Sequence, residues 1–181
     1  MKKYLALILV GLLPFIGISQ SIFDKYQDSE NVGTVIINKG LLGIVASMSA
    51  DEQDKETLEF IELAKSIDDI KIFVSEDASA SADMAATMKK YVKSASLDEM
   101  MRVKDGDTNV RFYIKNGRNS NHVSELLMFV TGIDDKGKKE NRPNFETVLL
   151  TMTGDIDLNK IGTITNKMNL PKQLKKAKGG K

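Results

Sequence analysis

His122 is the only histidine among 181 residues, so imidazole chemistry of any kind has to run through it. Ser120 precedes it by two positions and Ser124 follows by two, and either becomes a candidate nucleophile if held about 2.6–3.2 Å from the ring with a third group orienting the base. No nucleophile elbow surrounds either serine, and a surface histidine is the expectation. The second constellation is acidic. Asp155 and Asp157, with Asp134 and Asp135 placed at the same end of a sheet, form the densest carboxylate group outside a helix, and paired acids can hold a hard cation or divide acid and base roles if a pocket brings them together. Asp157 also reads as a helix cap and the two loop acids as solvated, so these four are metal-site candidates only, and no catalytic or cofactor residue is expected.

Other spacings fall short of their chemistry. Asp105-Gly106-Asp107-Thr108-Asn109 resembles the opening of a calcium loop, yet Val110 stands where the turn glycine is needed and Asn116 where a bidentate Glu closes the site, which leaves a hairpin turn. Gly40-Leu41-Leu42-Gly43 lacks the Lys-Ser/Thr end of a phosphate loop. Met84, Met88, Met128, Met152 and Met168 sit on expected core faces and read as packing rather than copper ligands. The absence of cysteine excludes disulfides, a thiol nucleophile, thiolate metal sites and lipid attachment through sulfur. With no Trp, four Tyr and seven Phe, there is little from which to build a base-stacking platform, so nucleic acid is not an expected partner.

Lys2 and Lys3 precede an apolar run from Leu5 to Ile18, broken by Gly11 and Pro14 and followed by small residues. This is the pattern of a secretory signal peptide cut between Ser19 and Gln20. The run is shorter than the roughly 20 residues a membrane-spanning helix needs. The expected organisation is therefore a signal peptide over 1–19, one domain over 20–170 and a Lys-rich disordered tail over 171–181, with no transmembrane span in the mature chain and a periplasmic or secreted location. The formal charge of +1 conceals an uneven distribution: the body carries 19 bases against 25 acids, and the tail five lysines with no acid. Such a tail can meet an anionic surface.

The residues between must form the elements that position these groups. Val32–Ile37 reads as a buried strand, and Leu41, Ile44, Val45 and Met48 then repeat at the spacing of one helix face. Ser49 and Glu52 match a capping box before an acidic helix from Asp51 to Glu62, whose stripe of Phe60, Leu63 and Ala64 continues to Ile67. Ile70, Ile72 and Val74 give a strand, Ser75–Ser81 a connection, and Met84, Met88, Tyr91 and Val92 a third helix. From there the period becomes two: Val110, Phe112 and Ile114 alternate with polar residues, Val123–Thr131 is a central strand, and Val148, Leu150 and Met152 form another. One further short strand fits Met100–Lys104, and Leu158, Ile161, Ile164 and Met168 mark a last helix stopped by Pro171. Mixed crossover and hairpin connections predict a single α+β domain, its mixed, largely antiparallel sheet packed by helices on one face.

In their order, Phe23-Asp24-Lys25-Tyr26, Thr34-Val35-Ile36-Ile37-Asn38-Lys39, Asp98 to Asp107, Ser124-Glu125-Leu126 and Thr153-Gly154-Asp155-Ile156-Asp157-Leu158 resemble the family known as domain of unknown function 4252, over about residues 21–168. The resemblance implies an exported bacterial protein without an assigned activity, from a family often encoded beside sigma-factor-type regulators. Many relatives carry a lipoprotein cysteine that this chain lacks, and Leu97 stands where a tyrosine is common. The resulting expectation is a non-catalytic cell-envelope domain that binds an envelope protein or an anionic surface, without a cofactor. The alternative is a hydrolase or divalent-cation-binding protein using the acids around Asp155.

Overall fold

The computed structural model describes residues 22–48, 55–133 and 146–160. The β-branched run forms strand β1 (Gly33–Asn38). Asn38 turns the chain directly into helix α1 (Lys39–Met48), its side-chain oxygen accepting the N–H of Leu41 at 3.0 Å, a capping role for which Asn is well suited. Helix α2 (Lys55–Ser66) packs on α1 and leads into β2 (Ile67–Ser75), which lies antiparallel beside β1. Ile67 departs from the helical reading. It is the first residue of β2, fully buried and paired with Gly154 near the far end of the chain, so long-range strand pairing overrides a local period.

Helix α3 (Ala78–Ser94) begins inside the stretch expected to be a connection, because Asp77 caps it by accepting the N–H of Ala80 at 2.7 Å. At 1.5 Å per residue it is roughly 25 Å long, enough to carry the chain from β2 across four strand spacings of about 4.8 Å to the opposite sheet edge. There the meander starts: β3 (Asp98–Asp105), longer than the Met100–Lys104 strand expected, then β4 (Thr108–Asn116), β5 (His122–Thr131) and β6 (Thr147–Asp157). The sheet order is β1-β2-β6-β5-β4-β3, and every pairing is antiparallel. The α+β class with an antiparallel sheet is as expected.

Helices cover both faces of this sheet, not one. Leu42 and Ala46 of α1 and Ile61, Leu63 and Ala64 of α2 pack with Ile70, Leu126 and Met152. Met84 and Met88 of α3, together with Phe23 and Tyr26 at a short 3-10 turn (Asp24–Tyr26), pack with Phe73, Leu127 and Leu149. Neighbours along a strand point to opposite faces, and Leu126 and Leu127 accordingly enter different cores. Successive apolar positions in β5 are what two-sided burial requires. The same reasoning explains β4, where Tyr113 is buried on one face while Phe112 and Ile114 pack on the other.

The apolar stripe of α1 has the reverse orientation from its expected one. Leu42 and Ala46 face the core, while Leu41, Ile44, Val45 and Met48 are exposed. Met84, Met88, Met128 and Met152 are buried, in keeping with packing roles. The signal sequence with Ser19 and Gln20, the Ser49 and Glu52 capping box, Asp134 and Asp135, the last helix beyond Lys160, including Met168, and the lysine tail lie outside the described residues. Among the described residues, no helix is long and apolar enough to cross a membrane.

Candidate functional site

Pairing of β5 with β6 puts His122 opposite Asp157 and so brings the β4–β5 connection beside Asp155. His122 Nδ1 hydrogen-bonds Asp155 Oδ1 at 2.6 Å, and Arg118 reaches Asp155 Oδ2 at 3.1 Å. A His–Asp pair is two parts of a nucleophile-activating triad. The third part is missing from the described residues: no hydroxyl hydrogen-bonds the ring, and Ser124 Oγ turns instead to the carbonyls of Lys115 and Asn116. Arg118 occupies the free carboxylate oxygen. The group is thus an ion cluster at a half-exposed sheet end.

Asp157 is committed to its own turn. One carboxylate oxygen accepts both the backbone N–H of Asn159 at 2.9 Å and its side-chain amide at 3.0 Å, and the backbone bond holds the carboxyl below its ordinary range. β5 ends at Thr131 and β6 begins at Thr147, at the opposite end of these strands from Asp155 and Asp157, and Asp134 and Asp135 lie outside the described residues. Among the described residues, no set of three or more His, Asp or Glu side chains is placed to hold a metal. The Asp105–Asn109 stretch is a hairpin turn, with Gly106 at φ +58° between paired Asp105 and Thr108.

Three features went unread in the sequence. Glu125 is buried on the α3 face, where the hydroxyl of Tyr91 donates to its Oε2 at 2.9 Å. Burial raises its carboxyl above the ordinary 4.5, and burial beside that carboxyl raises the Tyr91 phenol as well. A groove of about 400 Å³ lies between α3 and β4–β5, with Met88, Val92, Tyr113 and Phe129 on its walls and Lys89 and Arg111 also lining it. Finally, Leu41, Ile44, Val45 and Met48 of α1 are exposed, Met48 to 80%, as is Val35 of β1 on the same sheet face, while Ile36 is exposed on the other face. The sequence signal for the exposed helix face was present in the α1 stripe, but its direction depends on how the helix docks. Arg111 reads only as a polar partner in an alternating strand, and Asn109 only as the end of a hairpin turn.

An antiparallel six-stranded sheet with a two-helix layer on one face and a single crossing helix on the other defines the architecture. The family described as "Domain of unknown function (DUF4252)" matches residues 26–164, and the chain belongs to that family. No curated protein and no solved structure matches it.

Proposed function

We propose that this chain is an exported cell-envelope protein whose folded domain acts by binding a protein partner at the β1–α1 edge rather than by catalysis. The exposed apolar row carries the reading. Isolated surface leucines are ordinary, but four exposed apolar residues on one side of a helix beside an open edge strand mark an interaction surface. β1 bears no charged residue, bulge or proline of the kind that blunts sheet edges, and its outer N–H and C=O groups can accept a further strand. The only charge on α1, Lys39, is paired with Asp68, which leaves the surface suited to an uncharged, apolar partner segment. Lys2, Lys3 and the Leu5–Ile18 run support export, and cleavage before Gln20 removes them.

The test is site-specific photocrosslinking in intact cells with the probe at Ile44 or Met48, compared with a probe at exposed Lys115. The expected result is a discrete crosslinked species at the first two positions that disappears when Val35→Glu and Ile44→Glu are introduced together. Indistinguishable patterns at all three positions, or a species that survives both glutamates, overturns the reading. N-terminal sequencing of the mature protein is expected to begin at Gln20; an intact Met1 would sink the export half.

A further inference from the structure

Helix α3 leaves part of its sheet face uncovered. On the β2 side the turn carrying Phe23 and Tyr26 fills the remaining width. Over β4 the step between helix and sheet stays open as the groove of about 400 Å³, within the roughly 300–1,000 Å³ usual for small-molecule sites.

Its chemistry is divided. Met88, Tyr113 and Phe129 are nearly buried and give it apolar walls, with Val92 half-buried beside them. Lys89 enters from α3 and Arg111 from β4. Register places Arg102 directly across from Arg111 and Lys104 across from Asn109, so all four lie on this face of the sheet. On this side Glu99 accepts from Arg102 with both oxygens, at 2.8 and 2.7 Å, and the nearby Arg111 charge also helps to hold its carboxyl below the ordinary range. Among the described residues, neither Arg111 nor Lys89 has an ion-pair partner. These cations gather on a body with more acids than bases. Asn109, which also lines the groove, has a buried side-chain oxygen with no hydrogen-bond partner.

We infer that this groove binds a small amphipathic carboxylate. The apolar chain lies along Met88, Val92 and Phe129, and the carboxylate is held by Arg111 and Lys89. A purely apolar ligand would leave the cations unanswered, and a small inorganic anion would leave the apolar walls wet. Guanidinium–carboxylate pairing gives the head group its geometry. This site is separate from the β1–α1 edge, and failure of either reading leaves the other standing.

Calorimetric titration of the purified mature chain with decanoate, and with decanol as its uncharged counterpart, tests the inference. Decanoate is expected to bind saturably and at least about 10-fold more tightly than decanol; Arg111→Gln should weaken decanoate by about 10-fold and leave decanol unchanged. Lys89→Gln, at a solvent-exposed helix position, should give a smaller loss in the same direction and serves if Arg111→Gln fails to fold by circular dichroism. Absence of saturable decanoate binding overturns the proposal. So does equal affinity for acid and alcohol, or undiminished decanoate binding in a folded variant of either cation.

Discussion

The buried Tyr91–Glu125 pair makes a pH-dependent demand on stability that one substitution isolates. Tyr91→Phe removes the hydroxyl that donates to Glu125 at 2.9 Å but keeps the ring that meets Phe23 edge-on at a centroid distance of 5.0 Å. Once pH rises above the raised folded pKa of Glu125 the lost bond is to a charged acceptor, with a net worth of about 1.5–3 kcal/mol. At about pH 4 Glu125 is largely protonated in both the folded and unfolded chain, and the lost bond is neutral, worth about 1 kcal/mol. With a urea slope near 2 kcal/mol per molar for a domain of this size, the midpoint should drop by about 1 M at the higher pH and about half of that at the lower. The sign of the background follows from burial. Because the folded chain holds the Glu125 proton above the ordinary 4.5, this group's contribution is fully present below that value and falls as pH rises through the folded one. Glu125→Gln keeps an acceptor for Tyr91 and should gain on the wild type steadily over that interval. Urea titrations of both variants on the two sides of the folded Glu125 pKa decide the matter. Equal losses for Tyr91→Phe, or a larger loss in acid, would refute a buried acceptor that ionises above it.

Gly132→Ala should cost about 3 kcal/mol or more, because φ is +66° and a β-carbon there would sit 2.2 Å from the Asp107 carbonyl oxygen; an unchanged thermal midpoint contradicts that packing. Phe23→Ala empties a fully buried position between Phe73 and Tyr91, and chemical denaturation should register a loss of about 3–5 kcal/mol. Asp155→Asn should lower stability by no more than about 1 kcal/mol, since both Asp155 and Arg118 are substantially exposed, and the difference should shrink at high salt; a loss that salt leaves intact would mean that the cluster is not a surface one.

The meander was legible in the sequence because alternation in β4 and β6 and apolar continuity in β5 are local patterns that tertiary pairing reinforces. Ile67 was not, because an isoleucine at the right interval after Leu63 and Ala64 satisfies a helix as well as a strand, and only Gly154 across the sheet decides between them. The α1 stripe shows a different limit: periodicity identifies an apolar face without saying whether this molecule or another covers it. Asp155 was identified as a notable acid, but its partners Arg118 and His122 precede it by more than thirty residues and meet it only through the β5–β6 register. The groove depends on where one helix lies over a six-stranded sheet, a property of the assembled layers that no segment carries alone.

The position of β6 bears on how the molecule can be made. It is the last described strand in the chain but stands inside the sheet, joining the β1–β2 hairpin-like unit to the β3–β4–β5 meander. A nascent chain that has not yet delivered residues 147–157 holds two separate pieces, each with an open edge at β2 or β5. Non-local pairing of this kind is slow to form, so closure of the sheet waits for residues 147–157, and the lifetime of the open pieces is set by the arrival of that one strand.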